Sequence, residues 1–140
     1  MKRWLALMTG LLLALLPVFS RAEAGEDAPS GRAIGYIRVT VGAQVGWLPV
    51  PEKGAYSYPL EQVLPDGSHA LNVIRVTSEG VYMESSTCEN QNCVEQGIVT
   101  FENLSSRVLS RYIICLPNQV MLELFTPEEA AALLAAGEEP

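Results

Sequence analysis

Between Tyr36 and Val41 the side chains alternate, with Ile37, Val39 and Val41 on one side and Arg38 and Thr40 on the other. That is the period of a half-buried strand. Gly42 and Gly46 then permit a sharp change of direction. The runs Trp47-Leu48-Pro49-Val50-Pro51 and Tyr56-Ser57-Tyr58-Pro59-Leu60 are apolar but carry prolines. Each belongs at a sheet edge or in a covering loop, where no ladder donor is required. Leu64-Pro65-Asp66-Gly67-Ser68 is a turn by its chemistry, proline presetting φ and glycine admitting positive φ. Leu71 to Thr77 predicts a strand, Ser78-Glu79-Gly80 a tight turn and Val81 to Ser85 the returning strand of a hairpin.

The second half continues in the same style. Gly97 to Phe101 is a short apolar run and Glu102 to Ser110 a polar loop, and strands over Arg111–Leu116 and Gln119–Phe125 are joined at Pro117-Asn118. In the last strand Val120, Leu122 and Leu124 share one face, with Gln119, Met121 and Glu123 opposite. Thr126, Pro127 and Glu129 are the N-cap, first helical residue and capping-box partner of a helix. It runs from Pro127 to about Ala136 and stops at Gly137. Its apolar side is thin, Leu133 and Leu134 with several alanines, so it either lies on the β domain or frays. The pattern as a whole predicts an all-β fold, a small barrel-like or sandwich domain of about 6–8 short strands. A signal helix precedes it and a short C-terminal helix follows.

The first twenty-four residues read as a targeting segment. Lys2 and Arg3 give the charged start, Trp4 to Val18 the apolar stretch and Ala22-Glu23-Ala24 a small-x-small cleavage site. The expected organisation is a signal peptide over 1–24, a flexible polar tether over 25–32, a β domain over 33–125 and a C-terminal helix and tail over 126–140. The expected location is outside the cytoplasm, extracellular or at the cell envelope. Any membrane attachment would run through residues 4–19, a stretch shorter than the ~20 residues a spanning helix needs. Cleavage also sharpens the charge. Lysine plus arginine falls from 9 to 6 as Lys2, Arg3 and Arg21 leave, and acidic residues fall from 16 to 15 with Glu23, so net charge moves from -7 to -9. Nucleic acid and anionic membrane surfaces are excluded as partners, because binding them draws on clustered Lys and Arg.

Three cysteines carry the candidate chemistry: Cys88 and Cys93 five positions apart, and Cys115 beyond two apolar runs. Outside the cytosol a close pair is expected to be oxidised. A Cys88–Cys93 disulfide closes a loop of about six residues and contributes roughly 2 kcal/mol. Pairing of either with Cys115 stays open, the near pair being preferred. Left over, Cys115 is a third thiol that packs as a small hydrophobe in its strand. The alternative is a redox or metal centre using all three. Against it, the nearest charges, Glu89 and Glu95, raise thiol pKa values. The x4 spacing is also loose for zinc, and the single histidine, His69, lies in an unrelated turn. The lack of a histidine in either cysteine segment excludes a Rieske cluster. No metal or cofactor is expected.

Val81-Tyr82-Met83-Glu84 leading into Cys88-x4-Cys93-Val94, then Gly97-Ile98-Val99, then Ile113-Ile114-Cys115-Leu116-Pro117-Asn118-Gln119-Val120, resembles the NusG domain II family in its exported, stand-alone form. The likeness covers roughly residues 33–125, with Gly97, Leu116, Pro117 and Asn118 as motif positions beside the cysteines. It implies a small barrel-like β domain. It does not imply transcription, since fold alone carries no function. The family often has proline after its first cysteine, whereas Glu89-Asn90 stand here, so the conformation of that loop is not carried over.

No Ser/His/Asp set and no glycine-rich phosphate loop is present, and Glu128-Glu129 at a helix start serve the dipole. Trp47, Tyr36, Tyr56 and Tyr58 could offer an aromatic patch to a carbohydrate or peptide, though packing explains them as well. The expectation is therefore a non-enzymatic exported domain that binds a protein or surface component. A thiol redox or metal protein is the alternative.

Overall fold

The computed structural model of the protein describes residues 30–137. The signal segment and residues 25–29 of the tether lie outside the described residues. Strand β1 (Ser30–Val41) turns at Gly42 into β2 (Gln44–Lys53), and β3 (Ala55–Val63) leads through the Asp66-Gly67 turn into β4 (His69–Thr77). Next come β5 (Gly80–Ser86), the single helical turn α1 (Asn92–Glu95), and the short β6 (Val99–Thr100). Strands β7 (Tyr112–Cys115) and β8 (Val120–Phe125) and helix α2 (Pro127–Ala135) complete the order. Ser30 to Arg32, expected in the tether, instead open β1, where Ser30 pairs with Lys53 of β2.

Two four-stranded antiparallel sheets result, ordered β2-β1-β8-β7 and β3-β4-β5-β6. They stack as a sandwich and do not close into a barrel. Period-two alternation supplies the core. Ile37 and Val39 of β1 with Leu122 and Leu124 of β8 face Ile74 and Val76 of β4 and Val81 and Met83 of β5, all fully buried. The proline-bearing runs are the outer strands β2 and β3, as their missing donors require. The rim of β7 is closed differently. The side-chain amide of Gln96 donates to Ile114 O at 2.8 Å and accepts from Ile114 N at 2.8 Å, and Arg107 Nη1 donates to Tyr112 O at 3.0 Å.

The outer face of the β1/β8 sheet is also covered. Trp47, Arg38, Glu123 and Tyr112 are successive cross-strand neighbours there. Arg38 donates to Glu123 Oε2 from Nε at 2.9 Å and from Nη2 at 2.6 Å. Helix α2 packs over this face and buries Ala130. It is docked, not frayed: Arg111 donates to both carboxylate oxygens of Glu129 at 3.1 Å, holding its pKa below the usual carboxylate range. Glu129 also closes the expected capping box with Thr126. Three of the four aromatics have packing or hydrogen-bonding roles of their own. Tyr58 is in the core, Trp47 packs tilted on Phe125 at 5.7 Å between centroids, and Tyr56 donates its hydroxyl to Pro49 O at 2.6 Å.

Candidate functional site

The sulfurs of Cys88, Cys93 and Cys115 all lie within 4.8 Å of one another. They come from three segments: Cys88 just after β5, Cys93 inside α1 and Cys115 at the end of β7. All three are buried, at 5%, 1% and 1% exposure. The expected Cys88–Cys93 disulfide is not formed. Those sulfurs are 3.6 Å apart, against about 2.05 Å for a bond, and all three cysteines are free thiols.

Glutamines do the tethering that a disulfide was expected to do. Gln91, at φ 52, sends its side-chain amide back to Ser86 O at 2.8 Å and to Cys88 O, which folds the connection after β5 onto α1. Gln96, one residue past α1, is the side chain that pairs with Ile114, so the helix carrying Cys93 is pinned beside Cys115. Gly97 then ends α1 at φ 69, with open space where a Cβ would stand, so its role is conformational.

Above Cys115 lies a buried polar hub that periodicity alone does not place. Asn72 is 0% exposed and Asn118 3%. Asn118 Nδ2 donates to Asn72 Oδ1 at 2.8 Å and to Ser86 Oγ at 3.2 Å. Asn72 Nδ2 donates to Ser86 Oγ at 3.1 Å and to Met83 Sδ at 3.4 Å. Ser86 meets Asn72 because of a β-bulge. The register moves from Ile74↔Met83 to Val73↔Ser85, which brings Ser86 opposite Asn72 where unbroken pairing would have brought Ser85. Ser86 Oγ also accepts from Cys88 N at 3.2 Å. Cys115 Sγ lies 3.7 Å from the same oxygen.

The two thiols beside this hub are pushed in opposite directions. Burial pushes Cys93 up to about 12. Burial also acts to raise Cys115, but hydrogen bonds from the Asn72 side chain, the Asn118 backbone and Ser86 outweigh it and leave its pKa lowered. Glu89 and Glu95, expected to govern these thiols, are exposed, and burial is the main cause of the Cys93 shift.

Of the motif positions, Asn118 turns inward to the hub, while Leu116 and Pro117 face outward on the β7–β8 turn. His69 is exposed at the start of β4 and does not join the cysteine group. Asn72, Ser86, Gln91 and Gln96 were not singled out from the sequence. Asn72 had left a signal: it shares the alternating face of Ala70, Ile74 and Val76, a polar residue in core register.

Among known proteins, the chain matches the model of the NusG domain II family over residues 11–127. It is similar in structure to the Lin0431 protein from Listeria innocua, at 17% identity and a TM-score of 0.52, covering 66% of this chain and 97% of that one. A DUF1312 family protein from Enterococcus faecalis is similar at 17% identity and a TM-score of 0.51, covering 66% and 98%. At such identity these likenesses bear on the fold. No curated protein matches the chain.

Proposed function

This chain belongs to the NusG domain II family, and on that footing we propose that it is a non-enzymatic, exported β domain whose working part is a reduced thiol centre that holds a ligand through sulfur. The observation that carries the reading is the convergence of the Cys88, Cys93 and Cys115 sulfurs within 4.8 Å, from three separately anchored segments. Three hydrophobes need no such tethering, whereas a sulfur ligand set does. The hub sets the Ser86 hydroxyl 3.7 Å from Cys115 Sγ, a polar neighbour suited to charge on sulfur. The charged start, apolar stretch and small-x-small site in residues 1–24 support export.

Denaturing alkylation of the exported, reductant-free protein in the presence of a chelator tests the centre. The expected result is three alkylated cysteines by mass spectrometry. A stoichiometric Cys88–Cys93 disulfide with only Cys115 alkylated would overturn the reading and restore the pair as a staple.

A second reading, binding of a protein or surface component, draws on Leu116 and Val63, apolar residues 80% and 63% exposed. They lie in the two segments joined by the Gln62 Nε2 to Asn118 O hydrogen bond at 2.5 Å. Capture of one envelope component by the wild type and not by a Leu116→Ser/Val63→Ser variant is the expected outcome. Equal capture by both removes this surface from consideration.

A further inference from the structure

Resting on the thiol-centre reading, we infer that the ligand is a single soft monovalent metal ion, Cu(I), held by three sulfurs in a trigonal site. Thiolates select Cu(I), zinc or iron–sulfur clusters. Structural zinc takes four protein ligands and catalytic zinc keeps a water in an open fourth position. Among the described residues Cys88, Cys93 and Cys115 are the one group of His, Cys, Asp and Glu side chains close enough to share an ion, and no fourth such ligand joins them. Their burial also leaves no open face toward solvent. A buried set of three sulfurs joined by no fourth His, Cys, Asp or Glu side chain among the described residues suits an ion content with three ligands, which is the habit of Cu(I) and not of Zn(II).

The spacing agrees. With metal–sulfur bonds near ~2.3 Å, a flat trigonal site needs sulfurs about 4.0 Å apart. The Cys88–Cys93 separation is 3.6 Å and no pair exceeds 4.8 Å, so shifts of well under one ångström bring the three into place. Charge is the remaining requirement. Three thiolates and one monovalent cation leave two negative charges in the interior. The Ser86 hydroxyl lies 3.7 Å from Cys115 Sγ, and Gln91 Nε2 lies 3.9 Å from Cys88 Sγ. Outer donors of this kind orient metal thiolates and spread their charge. Each thiol releases its proton to solvent as its sulfur binds, and no electron transfer is involved.

The test is anaerobic titration of the full chain with Cu(I), in competition with a bicinchoninate-type chelator and in parallel with Zn(II). One Cu(I) per chain is expected, with thiolate-to-copper absorption in the near ultraviolet and an X-ray absorption spectrum showing sulfur scatterers alone. Cys115→Ser should lower Cu(I) affinity by more than the roughly 10–100-fold typical of losing an outer partner. Asn72→Leu, which keeps the size of the hub residue and adds no charge, should stay folded by circular dichroism and weaken Cu(I) binding within that range. Zn(II) bound in preference to Cu(I), or three free thiols that take up no copper, overturns the copper assignment and leaves the reduced centre standing. A stoichiometric disulfide overturns both.

Discussion

Replacing Arg38 by methionine should destabilise the domain by about 3 kcal/mol, the lower end of what breaking a buried ion pair costs. Glu123 is 4% exposed, roofed by α2, and receives two hydrogen bonds from the Arg38 guanidinium. Without that cation the carboxylate must stay charged in the interior or take up a proton, and either course weakens the fold. The lower end applies because help remains nearby. Tyr112 hydrogen-bonds the same carboxylate, and the Arg111 guanidinium feels its charge. Arg38 also sits over the Phe125 ring at 5.4 Å, a contact that contributes up to about 1 kcal/mol in such settings. Urea denaturation of Arg38→Met, Glu123→Leu and the double variant separates these effects. The double variant should recover much of the loss, because two apolar residues leave no orphaned charge. A single variant within about 0.5 kcal/mol of wild type would show that Glu123 finds another partner.

The Gly80→Ala substitution should be at least as damaging, about 3 kcal/mol, with a melting temperature lower by roughly 10 °C or more. A Cβ on Gly80 would stand 1.9 Å from Val99 O and 2.9 Å from Val99 C. These are backbone atoms of β6, whose two ladder pairs, Gly80↔Thr100 and Val81↔Val99, secure the sheet end beside α1. The methyl group cannot be admitted by a rotamer change. Either β6 lifts away and exposes Val99, which is fully buried, or the hairpin end distorts. Gly97→Ala is the contrasting case. Nothing lies within 4 Å of its Cβ position, so only the cost of positive φ applies, about 1 kcal/mol. Thermal unfolding of both variants should rank them in that order, and equal losses would refute the steric account.

Most of the fold was legible because its information is local. Alternation in β1, β4 and β8, the Asp66-Gly67 turn and the Thr126/Glu129 capping box each specify their own backbone. The prolines of β2 and β3 narrowed those runs to a sheet edge or a covering loop, and the edge is where they lie. The site was legible only in its cysteines. What positions them depends on a bulge in β5 that moves Ser86 opposite Asn72, and on Gln91 and Gln96 reaching across gaps that sequence spacing does not encode. A bulge is one unpaired residue in a ladder, with no periodicity to betray it. The disulfide expectation failed for a related reason. Five positions of separation permit a bond, but the αL turn at Gln91 and the helical turn after it set the two sulfurs side by side at contact distance.

The rims of the two sheets bear on how copies of this molecule meet. Prolines interrupt the donors of β2 and β3, β6 is two residues long, and glutamine and arginine side chains occupy the outward groups of β7. A visiting strand finds no uninterrupted row to template on. Edge-to-edge strand pairing between folded copies is therefore disfavoured along these rims.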